Sequence, residues 1–290
     1  MKRIHYIYIW VFAILVIFCN ACNTSKSDKP VIYVSIAPLK SLVQDITCGD
    51  FDVEVLVPSG ASPESFEPTP KQFMELNDAE FVFSTGLIDF EQSIIGKLSD
   101  KGKVIDLSNG IELIEGSCSH HHRHHGAGHH EHGTDPHIWA SPKSLKVMAC
   151  NIFETIHTAY PDSVKYEEAY LRLNNRIDEL DKKIAAYCSA AQERYFIIYH
   201  PALTYLARDY GLEQISVEHE GKEPSGKHLS GIIDRARMDG IHRIFYQAPF
   251  SKRVVQSLAD DIDGVAVEID PLREDVIANL EEITRLITQQ

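Results

Sequence analysis

Positive charge is in short supply: 28 Lys and Arg stand against 42 Asp and Glu, a formal net charge of -14 with His neutral. A surface of that sign cannot neutralise phosphates, which excludes a nucleic-acid partner. Six cysteines are present, and the four beyond the N-terminal stretch, Cys48, Cys118, Cys150 and Cys188, offer no Cys-x-x-Cys pair, so neither a thiolate zinc site nor a thiol redox motif is expected there. A His-Glu-x-x-His helix and a nucleophile elbow are both missing. Their absence argues against a zinc hydrolase, which needs an open coordination position for water and a general base, and no enzyme activity is expected. Long apolar runs are missing too. The stretch from about Ile4 to Phe18 is short for a span of about 20 residues, and with Lys2 and Arg3 ahead of it, it reads as a secretory signal.

That signal occupies residues 1–21, and Ala21 followed by Cys22 resembles the end of a lipoprotein signal, with Cys22 the lipidated residue. Residues 22–29 form a polar linker. The folded part is therefore expected outside the cytoplasm, anchored by lipid to a bacterial membrane and facing the periplasm or the cell exterior. An oxidising compartment permits a disulfide among Cys48, Cys118, Cys150 and Cys188 without assigning one.

With 44% hydrophobic and 24% charged residues, the remainder is long enough for two compact lobes. Beyond Lys29, short β-rich runs (Val31 to Ile36, Val53 to Val57, Phe81 to Ser84, Val104 to Leu107) alternate with amphipathic stretches (Leu39 to Ile46, Lys71 to Asn77, Phe90 to Leu98). From Ser163 to Ala190, apolar residues recur every three or four positions, predicting one helix of roughly 40 Å with Asp162 as its N-cap. Alternation then resumes, with strands at Tyr195 to Tyr199, Gln214 to Val217, Arg243 to Tyr246 and Val265 to Ile269. The expected fold is α/β: two Rossmann-like lobes, each a parallel sheet of about four strands flanked by helices. They are an N-terminal lobe at 30–162 and a C-terminal lobe at 192–290, joined by a rigid helix at 163–191.

One segment breaks the pattern. Residues 117–133 hold eight histidines (His120, His121, His122, His124, His125, His129, His130 and His132) and nothing large and apolar to anchor a core. This composition predicts a mobile loop that collects or senses a metal, because ordering it into a tight site would cost entropy at every residue.

In open parallel sheets ligands sit at the carboxyl ends of strands. Four candidate metal ligands fall there or in neighbouring loops: Glu64 after the second strand, His137 after the histidine-rich loop, His200 after Tyr195 to Tyr199, and Asp270 after Val265 to Ile269. Imidazoles and carboxylates at a lobe interface would enclose Zn2+, and without sulfur the set does not exclude Mn2+. A lone histidine after a strand is more often structural, Glu64 has an alternative as a helix-start carboxylate, and Asp270 has one as an N-cap before Pro271. His219 and His228 read as surface residues.

Five segments carry a resemblance. They are Gly60-Ala61-Ser62-Pro63-Glu64-Ser65-Phe66-Glu67-Pro68-Thr69-Pro70, Asp135-Pro136-His137-Ile138-Trp139-Ala140-Ser141-Pro142, the run from His200-Pro201-Ala202 to Leu212, Glu223-Pro224-Ser225, and Asp270-Pro271-Leu272. In this order they resemble the solute-binding proteins of zinc and manganese ABC importers, from about Val31 to the C-terminus. The resemblance implies one interlobe metal on His137, His200 and Asp270, and delivery to a membrane permease driven by a cytoplasmic ATPase, with the protein itself a monomer. Glu64 departs from the family's usual histidine and gives a harder, more manganese-like ligand set. The histidine-rich insertion resembles those of zinc-specific members. A zinc hydrolase is the first competing reading and a periplasmic zinc buffer or adhesin the second; a siderophore binder would need a roomier cleft.

Overall fold

The computed structural model describes residues 29–115, 133–218, 224–248 and 250–289. Cys22, Cys118, His219, Glu223 and the histidines from His120 to His132 lie outside the described residues.

The N-terminal lobe alternates β1 (Val31–Val34), α1 (Ala37–Thr47), β2 (Asp52–Val55), α2 (Pro70–Asp78), β3 (Phe81–Ser84), α3 (Asp89–Ile95) and β4 (Val104–Asp106). Its four strands are parallel in the order β2-β1-β3-β4. The Val-Ile-Tyr-Val of β1 is covered on both faces, which is why it reads as a continuous apolar run rather than an alternating one. α2 starts where Thr69 and Gln72 satisfy each other's backbone N–H groups and Pro70 takes the first helical position.

The chain then forms α4 (Pro142–Ala159) and α5 (Val164–Ala190). α5 is the anticipated long helix, about 40 Å at 1.5 Å per residue, burying Tyr166, Leu173, Ile177, Leu180 and Ile184. Its N-cap is Ser163, not Asp162, and no side chain caps it; Asp162 is exposed one position too early to reach the first turn. α4 was not anticipated, although Leu145, Met148, Ala149, Ile152 and Ile156 are spaced for one buried face.

The C-terminal lobe repeats the plan with β5 (Tyr195–Ile198), α6 (Thr204–Tyr210), β6 (Glu213–Ser216), α7 (Gly226–Asp239), β7 (Arg243–Tyr246), α8 (Lys252–Asp260), β8 (Val265–Glu268) and α9 (Val276–Thr288). Its parallel order is β6-β5-β7-β8, the same as in the first lobe.

One apolar core runs from the first sheet through α4 and α5 into β5, α6 and α9. On the cleft side the lobes are also bolted by hydrogen bonds. Trp139 Nε1 donates to Pro271 O at 3.0 Å, Tyr205 Oη donates to Asp135 O at 2.9 Å, Arg208 donates to Glu112 O at 2.6 Å, and Lys143 Nζ donates to Asp209 O at 3.1 Å. So many cross-lobe bonds, added to a shared core and a stiff helix, oppose wide opening.

Cys48, Cys150 and Cys188 are all free, so no disulfide joins the described cysteines. Burial pushes the Cys188 thiol up to about 11. A thiol reagent on the folded protein should therefore count one group fewer in Cys48→Ser, since Cys48 is exposed, and an unchanged number in Cys188→Ser. Equal losses in both variants would contradict this packing.

Candidate metal centre

Each lobe delivers its ligands by a different local device. After β2 the ladder to β1 continues through Leu56 N to Val34 O and Val57 N to Ser35 O. A turn closed by Ala61 N to Pro58 O then reverses the chain, with Gly60 at φ 80°, the left-handed conformation its third position requires. Pro63–Ser65 form one 3-10 turn that aims Glu64 at the cleft, and Gln72 Nε2 fixes the base of this loop on Leu56 O at 3.0 Å.

His137 is held by its neighbour two residues back. Asp135 Oδ1 accepts from the His137 backbone N–H at 2.9 Å and lies 2.9 Å from its ring Nδ1, so Nε2 is the atom left facing the cleft. Asp135 is itself anchored through its N–H on Ile114 O and through its carbonyl to Tyr205. Burial alone would raise the Asp135 carboxyl, but the charge and hydrogen bonds of His137 outweigh it and hold it below the usual range.

His200 comes from the carboxyl end of β5, two residues past the strand. Its carbonyl accepts from Gln247 Nε2 at 2.9 Å, its Nδ1 lies 2.9 Å from Glu218 Oε2, and the Phe250 ring stacks 5.8 Å away. Burial alone would push the imidazole down; the bonds to Glu218 and Glu64 outweigh it and lift His200 to about 9.

The three side chains meet. His137 Nε2 and His200 Nε2 are 3.3 Å apart, His200 Nε2 and Glu64 Oε1 3.0 Å, and His137 Nε2 and Glu64 Oε1 3.9 Å. A triangle with those sides has a circumradius of about 2.0 Å, so an ion at its centre would lie at the zinc–imidazole and zinc–carboxylate bond length from all three corners. Both histidines are buried, so the ligands meet out of bulk water.

Asp270 is not part of this trio. It lines the same pocket from the end of β8, but Oδ1 accepts from Leu272 N at 2.9 Å, the turn chemistry that competes with ligation. His228 is on α7, its Nε2 3.0 Å from Ser216 O, and is no member of the trio either. Sequence reading missed Glu218 altogether. The available signal was positional: Glu218 follows β6 by two residues, as His200 follows β5 and Asp270 follows β8. The pocket, walled by Trp139, Phe250, Pro136 and Leu272, is about 60 Å³, room for an ion and a few waters.

Comparisons with known proteins identify the family. Residues 32–288 match the family described as zinc-uptake complex component A, periplasmic. The high-affinity zinc uptake system protein ZnuA of Bacillus subtilis is 30% identical over 268 residues, covering 88% of this chain and 84% of that protein. The zinc-binding protein AdcA of Streptococcus pyogenes is 29% identical over 269 residues, 87% of this chain but 52% of its own length. The chain thus spans about half the length of the streptococcal relatives it matches. A crystal structure of a ZnuA deletion mutant with zinc bound superposes with a TM-score of 0.80 at 32% identity, covering 90% of this chain and 97% of that one.

Proposed function

Since the chain belongs to the family of periplasmic zinc-uptake component A proteins, we propose that it captures one Zn2+ between its lobes for an ABC importer. The observation that carries this reading is the trio of Glu64 Oε1, His137 Nε2 and His200 Nε2, already spaced around a point at zinc-bond distance. Asp270 is the fourth ligand in this reading, being the other carboxylate on the pocket wall. Two imidazoles favour zinc over manganese, which prefers an oxygen-rich octahedral shell. The protein is exported, held at the membrane through Cys22, and hands its ion to a permease powered by a cytoplasmic ATPase. The histidines from His120 to His132 act as an auxiliary collector. Because the cross-lobe bonds and α5 restrain opening, release depends on docking to the permease.

The test is a competition titration of the chelator-stripped protein with zinc and manganese, run on the wild type and on a deletion of residues 119–132. One tight equivalent of zinc should persist without the loop. Preferential manganese retention would move the cargo to manganese, and loss of the tight site with the loop would make the protein a buffer.

A further inference from the structure

Glu218 has no part in the ligand trio, yet it is buried, at 9% exposure, against one of its members. Its position follows from sheet register. β5 and β6 are parallel with Ile198 opposite Ser216, and the ladder continues past both strand ends through Val217 N to Ile198 O at 2.8 Å and Glu218 N to Tyr199 O at 2.9 Å. Two residues further, on the same side of the sheet, His200 and Glu218 fall next to each other, because side chains repeat every second residue. The result is the 2.9 Å contact between His200 Nδ1 and Glu218 Oε2.

The imidazole has two ring orientations related by a half-turn about the Cβ–Cγ bond. Only one presents Nε2 to Glu64 and His137; the other exchanges each ring nitrogen with a ring carbon. Phe250, stacked on the ring face with an interplanar angle of 24°, packs equally against either orientation. Gln247 holds the backbone carbonyl and is likewise indifferent to ring flipping. The carboxylate of Glu218 makes the two unequal, since it accepts from Nδ1–H in one and faces a carbon in the other. It also fixes the tautomer, leaving the Nε2 lone pair for the ion, and its charge makes that nitrogen a stronger donor. On the opposite wall Asp135 does the same for His137 by a local turn, so each lobe supplies its own carboxylate behind its own histidine.

We infer that Glu218 is the positioning residue that sets the ring orientation and donor strength of His200 toward the bound cation. The inference rests on the interlobe zinc reading above and adds a residue that never touches the ion. Loss of such a partner typically costs 10–100-fold in metal affinity.

The experiment compares wild type, Glu218→Gln and Glu218→Leu, each stripped of metal and titrated with zinc against a competing chelator. Melting temperatures of the metal-free forms are recorded alongside. Glutamine keeps an acceptor for Nδ1–H without the charge, and leucine keeps neither. The expected order is wild type tightest, Gln weaker by about tenfold and Leu by up to about 100-fold, with zinc affinity falling further than metal-free stability accounts for. Nitrogen NMR of the zinc-loaded imidazoles should show His200 protonated at Nδ1 in wild type and Gln, and a second ring population in Leu. A wild type that binds one zinc, together with variants that bind within twofold of it, would overturn the role of Glu218 and leave the zinc site standing. A wild type without a tight equivalent would instead overturn the zinc reading itself.

Discussion

His137→Ala should lower zinc affinity by on the order of 10²–10³-fold. Zinc bound to a few protein ligands is held by roughly 10–16 kcal/mol in all, so one ligand accounts for about 3–4 kcal/mol, and every 1.4 kcal/mol is a factor of ten. Among the described residues the pocket holds no other imidazole besides His200 to take its place. The variant should carry a second effect on the metal-free protein. Asp135 is buried at 1% exposure, and its carboxylate is held below the ordinary range by the His137 ring, so removing the ring leaves a buried charge with less to balance it. Zinc titration and thermal unfolding of the same preparation separate the two effects. Undiminished affinity in His137→Ala would place the tight ion elsewhere.

Trp139→Ala should be the most damaging single change for stability at the lobe junction, at about 3–5 kcal/mol, the usual cost of truncating a buried large aromatic residue. Trp139 is 2% exposed, its ring lies 5.2 Å from that of His137, and its Nε1–H donates across the lobes to Pro271 O. Truncation would open a void behind a ligand and free the loop that carries Asp270. Trp139→Phe keeps most of the packing but strips Pro271 O of its donor, for about 1–3 kcal/mol. Denaturant unfolding of both variants measures these costs. The Ala variant should also weaken zinc binding through His137, which a remote core truncation of equal cost, such as Ile177→Ala on α5, should not do. Equal zinc affinities in Trp139→Ala and Ile177→Ala would show that the junction does not support the site.

The fold was legible because parallel strands buried on both faces are apolar runs bounded by polar turns, and the C-terminal lobe repeats the rhythm of the N-terminal one. Strand ends differed by a residue or two: Tyr199 and Ile269 still bond to the neighbouring strand but lie outside the regular ladder. α4 went unread because its N-cap Ser141 and first residue Pro142 also close the Asp-Pro-His-Ile-Trp-Ala-Ser-Pro segment, which reads as a motif before it reads as a helix start. At the site, Glu64, His137 and His200 were legible from their loops and the structure brings them together. Two features were not. The engagement of Asp270 with Leu272 N depends on backbone direction after β8, and the pairing of Glu218 with His200 depends on β5–β6 register, so that the place of Glu218 two residues after β6 was readable but its partner was not.

The most direct test is a crystal of the protein grown with one molar equivalent of zinc and measured at the zinc absorption edge. A single anomalous peak should stand about 2.0–2.2 Å from Glu64 Oε1, His137 Nε2 and His200 Nε2. A fully occupied zinc anywhere else, with those three atoms still bonded only to one another and to their neighbours, would contradict the interlobe site.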